Sequence, residues 1–173
     1  SEHQLSAENM ASIHIGTYAK GVEICGNRNP QTVYEAKFSL PYAVAAGLVL
    51  GRARFAAFSE EKLNDPDIRS VMSRIEFETD PDAEAKFPNF RSATVTVETM
   101  DGARYEHHSP TRKGDPDNPL SDAELEDKYR ELVDPVIGPD AASKLLGECW
   151  RLEQVHDVAQ LSYVRAAAVA QLT

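Results

Sequence analysis

Cysteines, basic side chains and long apolar runs are all scarce in this sequence of 173 residues. The two cysteines, Cys25 and Cys149, lie far apart and outside any CxxC spacing, so neither a zinc site nor a disulfide framework is indicated. Reduced thiols are typical of cytosolic proteins, and we expect a cytoplasmic location. No apolar run approaches the roughly 20 residues that span a bilayer. The N-terminal stretch SEHQLSAENM has no basic and no apolar region, so we expect no signal peptide.

The shortage of basic residues limits the class of partner. Lysine and arginine number 18 against 28 acids, which gives a net charge of -10. Nucleic acid and anionic membranes require a basic surface, so we expect neither as a partner. A local basic patch could still bind a small anion, so acidic substrates stay open.

The sequence also shows no spacing of residues typical of a metal site or a catalytic triad. His107 and His108 are adjacent on a predicted strand and must point to opposite faces, so they cannot chelate one metal together. His14 falls on the polar face of its strand, and no histidine has a cysteine or second histidine at ligand spacing. No Ser-His-Asp or Cys-His arrangement stands out. We therefore expect no bound metal.

Hydrophobic periodicity predicts an α+β fold. Residues 11–18 and 73–80 alternate as strands, and residues 91–109 form a hairpin whose turn is Asp101-Gly102. The predicted helices are one or two short ones in 59–74, one over 121–138 with a Ser121–Glu124 capping box, one from Pro139, and a last one from about Val155 to Leu172. This order indicates a small antiparallel sheet packed with helices and followed by a helical tail.

Asp-Pro-Asp occurs three times, at 65–67, 80–82 and 115–117. Paired carboxylates could act as acid and base or hold a cation. Asp and Pro also form turns, and each triplet falls where a turn is expected, so we interpret all three as turns.

The most apolar stretch, AKFSLPYAVAAGLVLG at 36–51, opens with three polar side chains: Lys37, Ser39 and Tyr42. We predict a buried helix that Ser39 caps and Gly51 ends. The first turn of a helix favours anions through its free N–H groups and dipole. Ser39, Lys37 and Tyr42 would add a hydroxyl, a charge and a phenol, a set that suits a carboxylate. The alternative is that Ser39 only caps the helix, Lys37 is solvated and Tyr42 is a core aromatic.

A second candidate anion site is the loop TRKGDPDNP, which carries Arg112, Lys113 and Gly114. It has no P-loop pattern, and a solvated loop is the alternative interpretation.

Four blocks, in this order and spacing, resemble the MmgE/PrpD family: ENMASIHIGTY, AKFSLPYAVAAGLVLG, FPNFRSATVTVETMDGARY and GDPDNPLSDAELEDKYREL. The family includes 2-methylcitrate dehydratase, cis-aconitate decarboxylase and iminodisuccinate epimerase. The resemblance implies a long protein with a large helical domain, then an α+β lid, then helices that return to the helical domain. Residues 1–138 would be the lid and residues 139–173 the returning tail. The helical domain, which carries most of the family's catalytic residues, would be a partner in cis or a separate chain.

The resemblance also implies roles for individual residues. Ser39 and Tyr42 match positions that approach the substrate in the cleft between the domains, and Lys37 matches a basic position in the same motif. We accordingly expect Tyr42 to be catalytic and Lys37 and Ser39 to bind substrate. Gly114 and Pro116 match a Gly-x-Pro stretch and are expected to be structural.

The implied activity is that of a cofactor-independent lyase or isomerase acting on a small di- or tricarboxylate. Such enzymes remove a proton next to a carboxylate and then lose water or carbon dioxide, or return the proton to the other face. The alternative is a stand-alone binding or assembly module that keeps the lid fold. A lid severed from its helical domain should expose apolar surface, and this feature distinguishes the module from the enzyme. We therefore expect a homo-oligomer, a dimer or larger.

Overall fold

Four strands form one sheet in the computed structural model, which describes residues 5–161. The strands are β1 (Met10–Thr17), β2 (Ile75–Thr79), β3 (Ala93–Thr99) and β4 (Arg104–Ser109), in the spatial order β2-β1-β3-β4. β3 lies antiparallel to both β1 and β4, and the predicted hairpin is confirmed. β2 runs parallel to β1, so the sheet is mixed. The predicted α+β class is confirmed.

The alternation of apolar and polar residues gives the sheet one buried face. Ile13 and Ile15 of β1 are buried, and they lie opposite Ile75 and Phe77 of β2. His14, between the two isoleucines, is exposed as predicted. A strand with this period-2 pattern places one set of side chains in the core and the other in solvent.

Helices cover the apolar face of the sheet. Those of the first part of the chain are α1 (Ala19–Cys25), α2 (Val33–Lys37), α3 (Leu40–Leu50), α4 (Glu60–Leu63), α5 (Pro66–Met72) and α6 (Pro81–Lys86). α3 packs against α5, and Tyr42, Ala45 and Ala46 of α3 share a core with Ile68 and Val71 of α5.

The ends of α3 follow from its sequence. The Ser39 hydroxyl accepts a hydrogen bond from the Tyr42 amide, and Pro41 occupies the first turn, where its missing N–H has no intrahelical partner to lose. Gly51 ends the helix with φ of 78°, a left-handed conformation that glycine adopts without steric cost. The predicted buried helix and both of its ends are confirmed.

Two of the three Asp-Pro-Asp triplets are helix starts, so their interpretation as simple turns was wrong. The carboxylate of Asp65 caps α5, and that of Asp80 caps α6, each accepting two backbone amides with proline next in the chain. An aspartate that accepts a backbone amide two residues on forms both an Asx turn and a helix cap. The sequence Asp-Pro-Asp is therefore the same whether the triplet forms a simple turn or caps a helix.

The chain divides into two compact units, Ser1–Pro119 and Leu120–Thr173. The second contains α7 (Asp122–Ile137) and α8 (Pro139–Cys149), which pack against each other. The Ser121–Glu124 capping box is confirmed. α7 thus groups with α8, whereas the boundary predicted at 138/139 kept α7 with the sheet.

The prediction of a last α-helix from about Val155 was wrong for the described residues. Between Cys149 and residue 161 the chain forms only two short 3-10 turns, Leu152–Gln154 and Val158–Gln160. The rest of that predicted helix lies outside the described residues. None of the helices within 5–161 is long and apolar enough to cross a membrane.

Candidate functional site

The three predicted site residues lie at the junction of α2 and α3. Lys37 is the last residue of α2, Ser39 caps α3, and Tyr42 is in the first turn of α3. They are neighbours in space because they are neighbours in the chain, and their role as site residues stays a prediction. Their surroundings differ sharply, because Lys37 is exposed, whereas Ser39 and Tyr42 have 1% and 0% of their surface exposed.

Both hydrogen-bonding functions of the Ser39 hydroxyl are in use. The O–H group donates to the carbonyl of Asn27 over 2.6 Å, and its oxygen accepts from the Tyr42 amide over 3.2 Å. The backbones of Gly26 and Ser39 also form an isolated antiparallel bridge. Ser39 therefore fastens the start of α3 to the loop that follows α1.

The Tyr42 phenol is likewise bonded inside the protein. Its hydroxyl donates to the carbonyl of Ala57 over 2.7 Å, and its ring lies 5.8 Å from that of Phe58. Burial is the main cause that raises the pKa of Tyr42 above its usual value, with the charge of Arg69 acting in the opposite direction. The phenol is thus protonated at neutral pH. The catalytic role expected for Tyr42 stays a prediction.

Arg69 and the Lys62–Asp65 pair complete the polar surroundings of Tyr42. Arg69 donates to the carbonyl of Leu63 over 2.7 Å and to that of Pro30 over 2.8 Å. Lys62 lies 3.0 Å from Asp65, and this hydrogen bond is the main cause that lowers the pKa of the Asp65 carboxyl. Arg69 thus binds backbone carbonyls of neighbouring segments, while Lys62 and Asp65 neutralise each other.

The solvent side of α2 carries groups that the sequence analysis missed. Tyr34 is 70% exposed and Phe38 is 45% exposed, with their rings 5.2 Å apart. Lys37 lies three residues after Tyr34, a spacing that places both on one side of a helix. We call these three residues the α2 face. The sequence YEAKF does place two aromatics at helical spacing beside a lysine, but aromatics at that spacing are more often core residues.

The Lys37 ammonium has no hydrogen bond or ion pair within the described part of the chain. Some other exposed cations are paired, such as Lys20 with Glu23 and Arg104 with Glu106. Others, such as Lys86 and Lys128, have no side-chain partner among the described residues either. Glu35, the nearest acid in sequence, accepts instead from the Gln31 amide over 2.7 Å. The Lys37 ammonium is therefore open to an external anion.

The solvent face of the sheet holds a depression of about 400 Å³. Its walls carry the carboxylates of Glu78, Asp80, Asp82 and Glu106, against Arg104 and His14. A side chain at Gly16 would come within 3.1 Å of Asp80, so glycine keeps the depression open. Because its acids outnumber its bases, this surface repels a di- or tricarboxylate.

The remaining polar candidates are engaged locally. His107 lies opposite Val95 and His108 opposite Thr94, which confirms that the two histidines point to opposite faces. Across residues 5–161 there is no group of three or more His, Cys, Asp or Glu side chains that could hold a metal. Arg112 of the second candidate loop pairs with Asp115 over 2.9 Å, so its charge is already satisfied.

Comparison with known proteins identifies the family to which the chain belongs. The model of the MmgE/PrpD C-terminal domain matches residues 1–152. The chain belongs to the MmgE/PrpD family. It is similar to the cis-aconitate decarboxylase of Homo sapiens, with 30% identity over 133 residues, and to that of Mus musculus, with 25% identity over 133 residues.

Each of these matches covers 77% of the present chain and 27% of the decarboxylase. The chain thus spans about a quarter of the length of the curated relatives it matches. The predicted family resemblance is confirmed, and the α2–α3 junction lies inside the matched region.

Proposed function

We propose that this chain is the C-terminal part of a lyase or isomerase that acts on a small di- or tricarboxylate. Membership of the MmgE/PrpD family carries the proposal, and the similarity to two cis-aconitate decarboxylases supports it. Lys37 adds a local reason, since it is an exposed cation beside the start of α3 whose ammonium has no partner among residues 5–161, in a chain of net charge -10.

In this proposal the chain binds a substrate carboxylate and helps to exclude water. The helical domain of the complete assembly, in cis or as a separate chain, brings the base that removes the proton next to a carboxylate. The negative charge that develops there requires fixed positive groups or hydrogen-bond donors nearby. That stabilisation falls to the helical domain, whereas Lys37 at the α2–α3 junction provides a charge that holds a substrate carboxylate throughout the reaction.

The substrate is a finer question, for which we propose three candidates. They are cis-aconitate, 2-methylcitrate and iminodisuccinate, which would be decarboxylated, dehydrated and epimerised respectively. All three carry two or more carboxylates, so a lysine at the site fits each of them. What separates these reactions is the position of the acid and base groups, which the proposed helical domain would supply.

The test uses the protein as its own cells make it. The endogenous gene is tagged, the native assembly is purified, and its turnover of the three acids is followed by release of carbon dioxide, loss of substrate and uptake of deuterium. Turnover of at least one acid is the expected result. An assembly that neither turns over nor binds any of the three would refute the proposal.

A second candidate function is a stand-alone binding or assembly module, and the second unit favours it. α7 and α8 leave a groove of about 240 Å³ lined only by apolar side chains: Leu132, Val133, Val136, Ile137 and Leu145. Val136 is 72% exposed. Such patches promote association, so we propose that the chain forms a homo-oligomer if no helical domain accompanies it.

Light scattering distinguishes the two functions when it is combined with intact mass. A polypeptide well above 19.1 kDa favours the enzyme, whereas a 19.1 kDa chain that dimerises without turnover favours the module. A 19.1 kDa chain that stays monomeric at micromolar concentration would contradict the module.

A further inference from the structure

We infer that a substrate carboxylate meets the α2 face, formed by Tyr34, Lys37 and Phe38, and that Ser39 and Tyr42 act as positioning residues behind it. This inference rests on the proposed function, because it assigns the groups that a carboxylate substrate contacts. It differs from the expectation drawn from the sequence, in which Ser39 and Tyr42 approach the substrate themselves.

The start of α3 has little capacity left for an anion. Pro41 has no N–H, and the Tyr42 amide is bonded to the Ser39 hydroxyl over 3.2 Å. The Ala43 amide is bonded to the Ser39 carbonyl over 2.9 Å. Of the first four residues of the helix, only Leu40 retains a free amide. The helix dipole therefore acts here without the donors that normally accompany it.

The side chains of Ser39 and Tyr42 could reach a ligand only by giving up bonds inside the protein. Each is essentially without exposed surface, and each has its hydroxyl proton on a backbone carbonyl, Asn27 for Ser39 and Ala57 for Tyr42. Breaking the Tyr42 bond leaves the buried Ala57 carbonyl unsatisfied, and breaking the part-buried Ser39 bond gives up the contact with Asn27. Either loss costs free energy that the ligand offsets only when a new bond forms.

The α2 face offers what the start of α3 lacks. The Lys37 ammonium is exposed and unpaired among the described residues, and ammonium and carboxylate form a charge-assisted hydrogen bond. The exposed rings of Tyr34 and Phe38 stand on the same side and can cover the carbon skeleton of a small acid. The Tyr34 hydroxyl adds a donor on the side of α2 that also carries Lys37, three residues further along.

The buried residues explain why so short a helix is held firmly. α2 has five residues, and Ala36 is its only fully buried one. The Phe38 and Ser39 amides donate to the carbonyls of Glu35 and Ala36 over 3.0 and 3.1 Å. The Ser39 hydroxyl then joins this turn to the loop at Asn27. Ser39 thus ties the end of α2, from which Lys37 projects, to the loop at Asn27, while Tyr42 fixes the helix that follows by its bond to Ala57.

The test compares variants of the native assembly with cis-aconitate, 2-methylcitrate and iminodisuccinate as probes. Lys37→Gln should raise KM about tenfold or more, the loss expected for one charge-assisted bond, while kcat changes little. Lys37→Arg should restore part of the affinity. Lys20→Gln, which removes an exposed lysine paired with Glu23, is the matched control and should leave KM unchanged.

The outcomes separate the inference from the proposed function. A wild-type assembly that neither binds nor turns over any probe overturns both. An active wild type whose KM is the same after Lys37→Gln overturns the inference alone. An active wild type in which Tyr42→Phe lowers kcat at least tenfold without loss of thermal stability also overturns it, because the phenol would then act on the substrate.

Discussion

The hydroxyl of Tyr42 donates to the carbonyl of Ala57, 15 residues further along the chain, over 2.7 Å. Three residues before Tyr42, the hydroxyl of Ser39 donates to the carbonyl of Asn27 over 2.6 Å. The first turn of α3 is thus bonded both to the chain that precedes the helix and to the chain that follows it. Because α2 ends at Lys37, two residues before Ser39, these two bonds hold the chain immediately after the α2 face.

Replacing Tyr42 with phenylalanine tests the first of these bonds. The change removes the hydroxyl and leaves the buried Ala57 carbonyl unpaired, so we expect a loss of about 1–2 kcal/mol in stability. Thermal unfolding of the native protein measures it. Tyr34→Phe, which alters an exposed tyrosine, is the matched control and should change the stability by less than about 0.5 kcal/mol. Equal effects of the two changes would contradict the structural role of Tyr42.

The alkaline limb of the stability curve gives a second test of Tyr42. Burial raises the folded-state pKa of Tyr42, so the neutral phenol contributes stability fully below the ordinary value of about 10 and loses it as pH rises through the folded pKa. The Tm difference between the wild type and Tyr42→Phe should therefore narrow as pH rises above that ordinary value. A constant difference would show that Tyr42 ionises as it does in the unfolded chain, and a widening one that folding lowers its pKa; either would contradict the account.

Replacing Ser39 with alanine should open the start of α3. The change removes a helix cap and the bond to Asn27, which together are worth about 1–2 kcal/mol. Faster hydrogen–deuterium exchange in peptides covering 40–50 measures the effect. Ser59→Ala removes a cap of the same kind from the four-residue helix α4 and should leave exchange in α3 unchanged. Unchanged exchange in α3 after Ser39→Ala would contradict the assignment.

Two glycines at the other end of α3 should respond in opposite directions. Gly51→Ala places a side chain at φ of 78° with nothing within 4 Å, so its cost is backbone strain of about 1–2 kcal/mol. Gly47 lies within α3, and an alanine side chain there would meet Ala53 at an ordinary contact distance of 3.9 Å. Gly47→Ala should therefore raise the free energy of unfolding by up to about 1 kcal/mol. Thermal unfolding of the two variants checks the signs. A stabilising Gly51→Ala would mean that the helix does not end there.

Local features of the fold could be predicted because their causes are local. Ser39 and Gly51 mark the ends of α3 by chemistry that acts within one turn, and the Asp101-Gly102 hairpin has a strong short-range signal. The parallel pairing of β2 with β1 depends on residues more than 60 positions apart, such as Ile13 and Ile75, and no sequence pattern fixed its direction.

The candidate site shows the same division. Lys37, Ser39 and Tyr42 lie at one junction because they are close in the chain, but the sequence did not show that only Lys37 is exposed there. The partners of Ser39 and Tyr42 are backbone carbonyls outside α2 and α3, which any residue type provides, so the sequence carries no mark of them. Tyr34 and Phe38 were missed because aromatics at helical spacing usually enter a core, whereas here α2 is too short to bury them.

Turnover of cis-aconitate, 2-methylcitrate and iminodisuccinate by the native assembly that contains this chain is the most direct test of the central claim. We predict conversion of at least one of these acids, with a KM that rises about tenfold or more in Lys37→Gln and stays unchanged in Lys20→Gln. A native assembly that neither binds nor converts any of them would contradict the claim. The binding module built on α7 and α8 would then be the better account.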